Sequence, residues 1–400
     1  MNTKILLLSL LLTGCATGAH QTTSIQPPAT PQTPTAPPVV STPPPTTPAP
    51  PPSNPAPPPP PVVAPPPPVT TPPPVVTPPA NPMLIAWGNS QTQGYGLPDC
   101  AGSTDGNRCI SPSAWPAVLA GLKGWGVQNN AVGGTLCLDL INTSFWDQQV
   151  SDTSISAYGH FHNEEVLYGS TDVNYARGCI EAETAWLAIP ESQKVRTQDC
   201  QQTGTWTPFN SAGSLTLTGG TLTCVVYGSV VYLATARAYG FATYTVTVDG
   251  NEVTDPESLT TTFSESEDTS DTTVNFLRIP TPVSTRHTVV YNCTNPGGKG
   301  CIVFYAAGAG SRVAPVVYSL SPVPNAPWNT SQGFDPATFA LYRAAWAALV
   351  KELQGDGLNI IPIDATDPKV YDPVTQSQSD GLHQNTAGHA SIGTYAATLR

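Results

Sequence analysis

The sequence predicts an α/β fold, a parallel sheet covered by helices on both faces, interrupted by an all-β insertion of jelly-roll or sandwich type. Three observations predict it. Short apolar runs alternate with helix-like stretches over residues 83–194, the pattern that crossover connections in a parallel sheet require. Over residues 195–312 this texture gives way to β-rich runs bounded by Gly, Pro and Asn, as strands and turns demand. The first texture then resumes over residues 313–400.

The elements follow in chain order. Met1 to Lys4 carry a positive charge, "ILLLSLLL" is an apolar core too short to span a bilayer, and "LTGC" ends it. Leu12-Thr13-Gly14-Cys15 resembles the bacterial lipoprotein box, in which the Cys is lipidated and becomes the mature N-terminus; an ordinary cleaved signal peptide is the competing reading. By the same resemblance, Ala16 after the Cys favours the outer membrane or cell surface. Residues 16–82 hold most of the 46 prolines, in runs such as "PPPSNPAPPPPPVVAPPPP". Such a stretch lacks backbone donors and buries little, so it reads as a disordered, polyproline-II-like spacer. At about 3.1 Å per residue it reaches well over roughly 100 Å.

In the folded part, "MLIAW" reads as the first strand, Pro112 to Leu122 as a helix, "GVQNNAV" as the second strand and "EEVLYG" as the third. Cys179 to Ile189 reads as a helix. "SLTLTGGTLTCVVYGSVVYLATA", "FATYTVTVDGNEV", "TVNFLRI", "RHTVVYNC" and "CIVFYAAG" then supply the β insertion, with Asp249-Gly250 as a hairpin turn signal. "APVVYSL" returns to the parallel sheet, Asp335 to Leu353 forms a helix with an apolar stripe, "LNIIPI" is a strand and "HASIGTYAATL" the last helix. An insertion into a surface loop is tolerable because the loop's ends already lie close together.

Charge and cysteine content narrow the function. A net charge of −12 argues against a nucleic-acid partner, which needs Lys and Arg in quantity. Nine Cys less Cys15 leave an even eight, consistent with export to a compartment where disulfides persist. Cys100–Cys109 and Cys293–Cys301 are the pairings expected first, since each closes a short loop. The sequence does not fix the pairings; Cys137–Cys179 and Cys200–Cys224 would complete a set of four. No Cys or Cys/His cluster has zinc spacing, so neither a metal nor another cofactor is expected. The oligomeric state is left open.

The chemistry lies in two distant stretches. "WGNSQTQG" ends the first strand in a Gly/Ser/Thr-rich turn and offers Ser90 as a nucleophile. "SDGLHQNTAGH" places Asp380 three residues before His383, just ahead of the final helix. There a carboxylate orients an imidazole and stabilises the imidazolium that forms when His383 takes a proton. Both stretches follow strands, and active sites of such sheets gather at the carboxyl ends of strands.

At these residues the chain resembles the SGNH hydrolases, the GDSL-like esterase/lipase family. Gly88-Asn89-Ser90-Gln91-Thr92-Gln93-Gly94 matches the first family block, with Asn89 in place of the usual Asp. "NNAVGGT" matches the second, with Gly134 the better candidate and Gly133 adjacent. Gly169-Ser170-Thr171-Asp172 stands for the third, and Asp380 with His383 for the last. The resemblance covers the α/β portion and leaves out the spacer and the insertion. It implies a flavodoxin-like three-layer α/β/α domain, a catalytic set of Ser90, Asp380 and His383, and an oxyanion hole built from the N–H groups of Ser90 and Gly134. Thr171 occupies the position of the family's oxyanion-binding Asn, and Asn174 is a weaker substitute. The loss of one such donor typically slows catalysis by about 10²–10³.

Other residues compete for roles. His160 and His162 are read as lying in a loop before the third strand without a suitable carboxylate, and His389 as packed within the last helix. His20 falls in the spacer and His287 in the insertion. Trp87 and Trp115 are core residues or flank a sugar. The expected function is a lipid-anchored serine esterase acting on acyl groups, acetyl first, of a polysaccharide or another small ester substrate. Transfer of the acyl group to a sugar is the variant reaction. The alternative is a weakened or inactive SGNH-fold surface lipoprotein that binds glycans.

Overall fold

The computed structural model describes residues 81–100, 109–137, 139, 144–168, 173–237, 242–254, 261–264, 273–295, 300–310, 315–329 and 336–399. Cys15, the spacer up to residue 80, and Gly169 to Asp172 with Thr171 lie outside them. Along the chain, β1 (Met83–Gly88) leads into α1 (Ser90–Gln93), followed by α2 (Trp115–Lys123), β2 (Gly126–Asn129) and β3 (Ile155–Gly159). Helices α3 (His162–Tyr168) and α4 (Val173–Ala188) come next. The β-rich region begins with β4 (Lys194–Arg196), β5 (Gln201–Gly204), β6 (Thr207–Pro208) and β7 (Ser214–Thr216). It continues through β8 (Gly220–Arg237), β9 (Thr243–Val248), β10 (Asn251–Glu252) and β11 (Thr262–Ser264) to β12 (Thr273–Asn295) and β13 (Cys301–Ala309). The chain closes with β14 (Val316–Leu320), α5 (Pro336–Gly355), β15 (Asn359–Ile363) and α6 (Thr386–Thr398).

Five strands form a parallel sheet in the order β15-β14-β3-β1-β2. Numbered within the sheet this is the 2-1-3-4-5 order of flavodoxin-like folds. Period-two alternation sorts the strand side chains into two interiors. Leu84, Ala86, Ala157, Tyr318, Leu320 and Ile363 face Trp115 and Leu119 of α2 and Ile392 and Ala396 of α6. Trp87, Tyr158, Val317 and Ile360 face Ile180 and Trp186 of α4 and Trp346 and Leu349 of α5. The architecture is therefore the three-layer α/β/α arrangement that the SGNH resemblance implies.

One strand assignment from the sequence is corrected. "EEVLYG" belongs to α3, and the third strand is "ISAYG". A short apolar run carries too few residues to separate period two from period 3.6; here Glu164 and Glu165 are buried in the first helical turn. His160 and His162 consequently follow the third strand instead of preceding it. Helix α4 also begins earlier than its apolar run suggests, passing through Gly178. A Cβ on Gly178 would lie 2.5 Å from the carbonyl oxygen of Val274, so glycine there admits the backbone of β12.

The antiparallel strands make one connected sheet turned through a corner. The first half of β12, Thr273 to Pro280, pairs with Val230 to Arg237 of β8, and the second half, from Thr285, pairs with Gly220 to Gly228. The register shifts between Pro280 and Thr285, the irregularity by which strands pass from one layer of a sandwich to the other. Strand β13 pairs with the second half of β8, Val230 to Thr235, while β9 pairs with the second half of β12. Val231, Leu233, Val303 and Ala306 thereby close over Val226, Tyr244, Val246 and Tyr291. The insertion is a sandwich whose two layers share their longest strands.

Its outer face is not free. Val230, Tyr232, Ala234, Phe304 and Tyr305 belong to the same interior as Trp146, Trp186 and α4. A second register shift, between Val303 and Tyr305, aims both Phe304 and Tyr305 at that side. The Tyr305 hydroxyl donates to the carbonyl of Ala182 at 2.7 Å, and Tyr232 and Arg278 both donate to Asp356 after α5. All four expected disulfides are present: Cys100–Cys109, Cys137–Cys179, Cys200–Cys224 and Cys293–Cys301. Among the described residues no helix is long and apolar enough to cross a membrane.

Candidate active site

Strand β1 ends where the chain can turn sharply. Gly88 has φ +151°, and a Cβ there would lie 2.2 Å from the carbonyl oxygen of Gly159. The Asn89 N–H donates to that same oxygen at 3.2 Å. The Asn89 side chain then caps α1 by accepting from the backbone N–H of Gln91 at 3.1 Å, the service an N-cap residue performs. Asn89, not Ser90, is therefore the cap, and the Ser90 hydroxyl is left for another partner. Thr92 holds the turn to β3 through a 3.1 Å bond to Gly159, and Asn129 ties it to β2 through a 3.0 Å bond to the Thr92 carbonyl.

The partner of Ser90 is His383. The Ser90 hydroxyl donates to His383 Nε2 at 3.0 Å, and His383 Nδ1 lies 2.8 Å from Asp380 Oδ2. An ionised carboxylate only accepts, so Nδ1 carries the proton and Nε2 is free to receive one. The other oxygen of Asp380 accepts from the backbone N–H groups of Leu382 at 2.9 Å and His383 at 3.0 Å. One carboxylate thus fixes both the ring and the backbone that carries it. Burial by itself would raise the Asp380 pKa, but the bonds from His383 and the two backbone donors prevail and lower it to about 2. The sequence-derived Ser90, Asp380 and His383 come together in one relay.

The loop bearing Asp380 and His383 is itself anchored. Gln378 N–H donates to the His383 carbonyl at 2.7 Å, and Gln378 Nε2 donates to the carbonyl of Tyr95 at 2.7 Å. Asn385 caps α6 by accepting from Gly388 N–H at 3.0 Å. The Tyr95 ring packs on the His383 ring with centroids 4.8 Å apart.

Gly134 lies exposed in the turn after β2 with φ +79°, and Gly133 beside it is buried. The same loop is pinned from the end of β3: Asn163 Nδ2 donates to the Thr135 carbonyl at 2.7 Å and Cys137 N–H to Glu164 Oε1 at 2.5 Å. Thr171 lies outside the described residues. Asn174 is exposed in the first turn of α4.

The sequence reading missed His162. Because β3 ends at Gly159 alongside Gly88, the segment "HFHN" opens from the same sheet edge as Ser90. His162 is buried and its pKa falls to about 3, through burial first and then the charge of His383, against which Asp380 acts. It is a neutral imidazole within the field of the relay. The usable signal was "GHFHN" directly after "ISAY", had that run been recognised as the strand. His160 Nδ1 faces Glu164 at 3.3 Å and its ring stacks on Tyr158. His389 is buried in α6 as expected, accepting from Trp115 N–H at 3.3 Å. His287 sits in the sandwich between Asp249 and the Gly228 carbonyl.

Trp87 and Trp115 are buried, which removes the reading in which they flank a sugar. Trp87 packs edge-on against Phe145 with centroids 5.1 Å apart, and its Nε1 donates to Gln148. Among the described residues no group of three or more His, Cys, Asp or Glu is disposed to hold a metal ion.

No protein-family model matches the chain, and no curated protein matches it. Among solved structures it is similar to a lipase/acylhydrolase from Enterococcus faecalis, at 11% identity over 79% of this chain and 94% of that one, with a TM-score of 0.36. It is also similar to Est24, a carbohydrate acetylesterase from Sinorhizobium meliloti, at 8% identity over 80% and 97%, TM-score 0.36. A third likeness, to a two-domain esterase active on acetylated mannans, has 11% identity over 58% and 91%, TM-score 0.32. TM-scores this low support no conclusion about function.

Proposed function

We propose that the chain is a serine esterase of SGNH type that removes acyl groups, acetyl foremost, from a carbohydrate, and that it works at the cell envelope on a lipid anchor at Cys15 and a proline-rich tether. The single observation that carries the catalytic reading is the relay from the Ser90 hydroxyl through His383 to Asp380, with contacts of 3.0 and 2.8 Å.

Chemistry follows from these positions. His383 Nε2 takes the Ser90 proton as the oxygen attacks the ester carbonyl carbon. Asp380, ionised above about pH 2, stabilises the resulting imidazolium. His162, neutral from about pH 3 upward, places no competing positive charge beside it. The backbone N–H groups of Ser90 and Gly134 receive the oxyanion, with Thr171 as the third donor. As the intermediate's bond from the acyl carbon to the sugar oxygen breaks, His383 gives its proton to that oxygen, which leaves as a hydroxyl, and the acyl–Ser90 ester remains. Water, deprotonated by His383, cleaves that ester and releases the acid.

The test is hydrolysis of p-nitrophenyl acetate by the wild type and by Ser90→Ala. The variant is expected to lose at least roughly 10³-fold in rate. Equal rates for the two proteins would overturn the reading.

A further inference from the structure

The aromatic residues best placed to meet a substrate are not those the sequence suggested. Of the chain's eight tryptophans, Trp87, Trp115, Trp146, Trp186 and Trp346 are at most 5% exposed, whereas Trp328 is 47% exposed. Tyr95 is 37% exposed. Both touch the loop that carries the relay. The Tyr95 ring lies against His383 at 4.8 Å, tilted by 42°. Trp328 meets the same loop at Gly381, the residue after Asp380: a Cβ there would lie 2.9 Å from the indole Nε1 and 3.1 Å from Cδ1. Gly381 has φ +67°, so only glycine turns easily there and lets the indole approach. The contact is held by the Ala326 N–H, which donates to the Gly381 carbonyl at 2.8 Å, and by the turn from Ala326 to Asn329 at 3.0 Å.

We propose that Trp328 and Tyr95 form a rim that binds the sugar ring bearing the scissile ester; this rests on the esterase reading above. A rigid aromatic face beside a reactive loop offers a ligand a large contact area with few rotatable bonds to order. Two ligand chemistries fit such surface. A long acyl chain requires a continuous apolar groove, but the groups around this rim are polar: the half-exposed Asp380 carboxylate, Gln378 and Asn329. A pyranose ring presents C–H faces that stack on aromatic faces and hydroxyls that bond to such neighbours, as does the indole N–H. The net charge of −12 and the adjacent Asp380 favour an uncharged polymer over a polyuronate, which the protein's field would repel.

Two measurements test this. The first needs no catalysis: binding of a neutral acetylated oligosaccharide to Ser90→Ala, read by calorimetry, alone and combined with Trp328→Ala. Addition of Trp328→Ala is expected to weaken binding about tenfold, and Trp328→Phe to recover part of it. The second compares kcat/KM on the oligosaccharide and on p-nitrophenyl acetate for Trp328→Ala and Tyr95→Ala. The loss on the oligosaccharide should exceed that on the small ester by about tenfold. Unchanged oligosaccharide binding, equal losses on both esters, or a loss confined to long-chain p-nitrophenyl esters would overturn the rim. An inactive wild type that still binds the oligosaccharide through Trp328 would overturn the esterase reading alone.

Discussion

Gly88 and Gly159 end neighbouring strands in register, and the carbonyl of Gly159 occupies the space that a side chain on Gly88 would need. Ser90 stands two residues beyond that contact. Gly88→Ala is therefore expected to push β1 from β3 and to move the nucleophile. A displacement near 1 Å at a reacting atom costs on the order of 10²-fold in rate. Turnover of p-nitrophenyl acetate, with the melting temperature measured alongside, checks this, and both should fall.

Asp380→Asn separates orientation from mere polarity. The new amide presents N–H to His383 Nδ1, which then accepts and leaves the proton on Nε2, where it cannot receive another from Ser90. kcat should fall by on the order of 10⁴, the size of the effect in serine-protease triads, with little change in KM. Because the wild-type carboxyl titrates at about 2, the acid limb of the pH–rate profile should not move to the Asp380 transition. The stabilisation that Asp380 lends the fold is intact above pH 3.8 and is lost as pH falls to about 2.

Glu181 makes stability depend on pH in the opposite sense. Burial raises its pKa to about 7, with Arg177 acting against this. The folded state therefore holds a proton that the unfolded chain releases above about 4.5. Stability contributed in this way is full below that value and is lost as pH rises to about 7. Glu181→Gln should flatten the curve, with a difference of roughly 3 kcal/mol opening between pH 4.5 and 7.5 in denaturant unfolding.

The disulfides should rank by the loops they close. Cys137–Cys179 has a sequence separation of 42 and Cys293–Cys301 one of 8. Loop entropy assigns about 4 and about 2.5 kcal/mol respectively. Double Cys→Ser variants, unfolded in denaturant, should show that order. Loss of Cys137–Cys179 should also lower esterase turnover, because that bridge anchors the segment after Gly133 and Gly134 to α4.

Much of this architecture was legible from sequence, for identifiable reasons. Ser90, Asp380 and His383 sit in short motifs whose spacing is itself the chemistry, and the strands flanking them are apolar enough to be recognised. Strand β3 was missed because "ISAYG" and "EEVLY" are both too short to reveal a period. That error hid His162, whose place depends on where β3 ends. The exposure of Trp87, Trp115 and Trp328 is set by packing between distant segments, such as Trp87 on Phe145 and Trp328 on Gly381. Composition cannot tell a buried indole from a solvent-facing one.

Trp146 lies 6.0 Å from Phe304, stacked, and Trp186 lies 4.9 Å from Tyr305, so helical and sandwich segments were completed against each other and neither has a finished outer wall there. Cutting the insertion out would turn several rings and the buried Asp356 toward water, and expressing it alone would do the same from the other side. The molecule should accordingly melt in one calorimetric transition, and grafting its sandwich onto another α/β domain should yield precipitate in place of a folded hybrid.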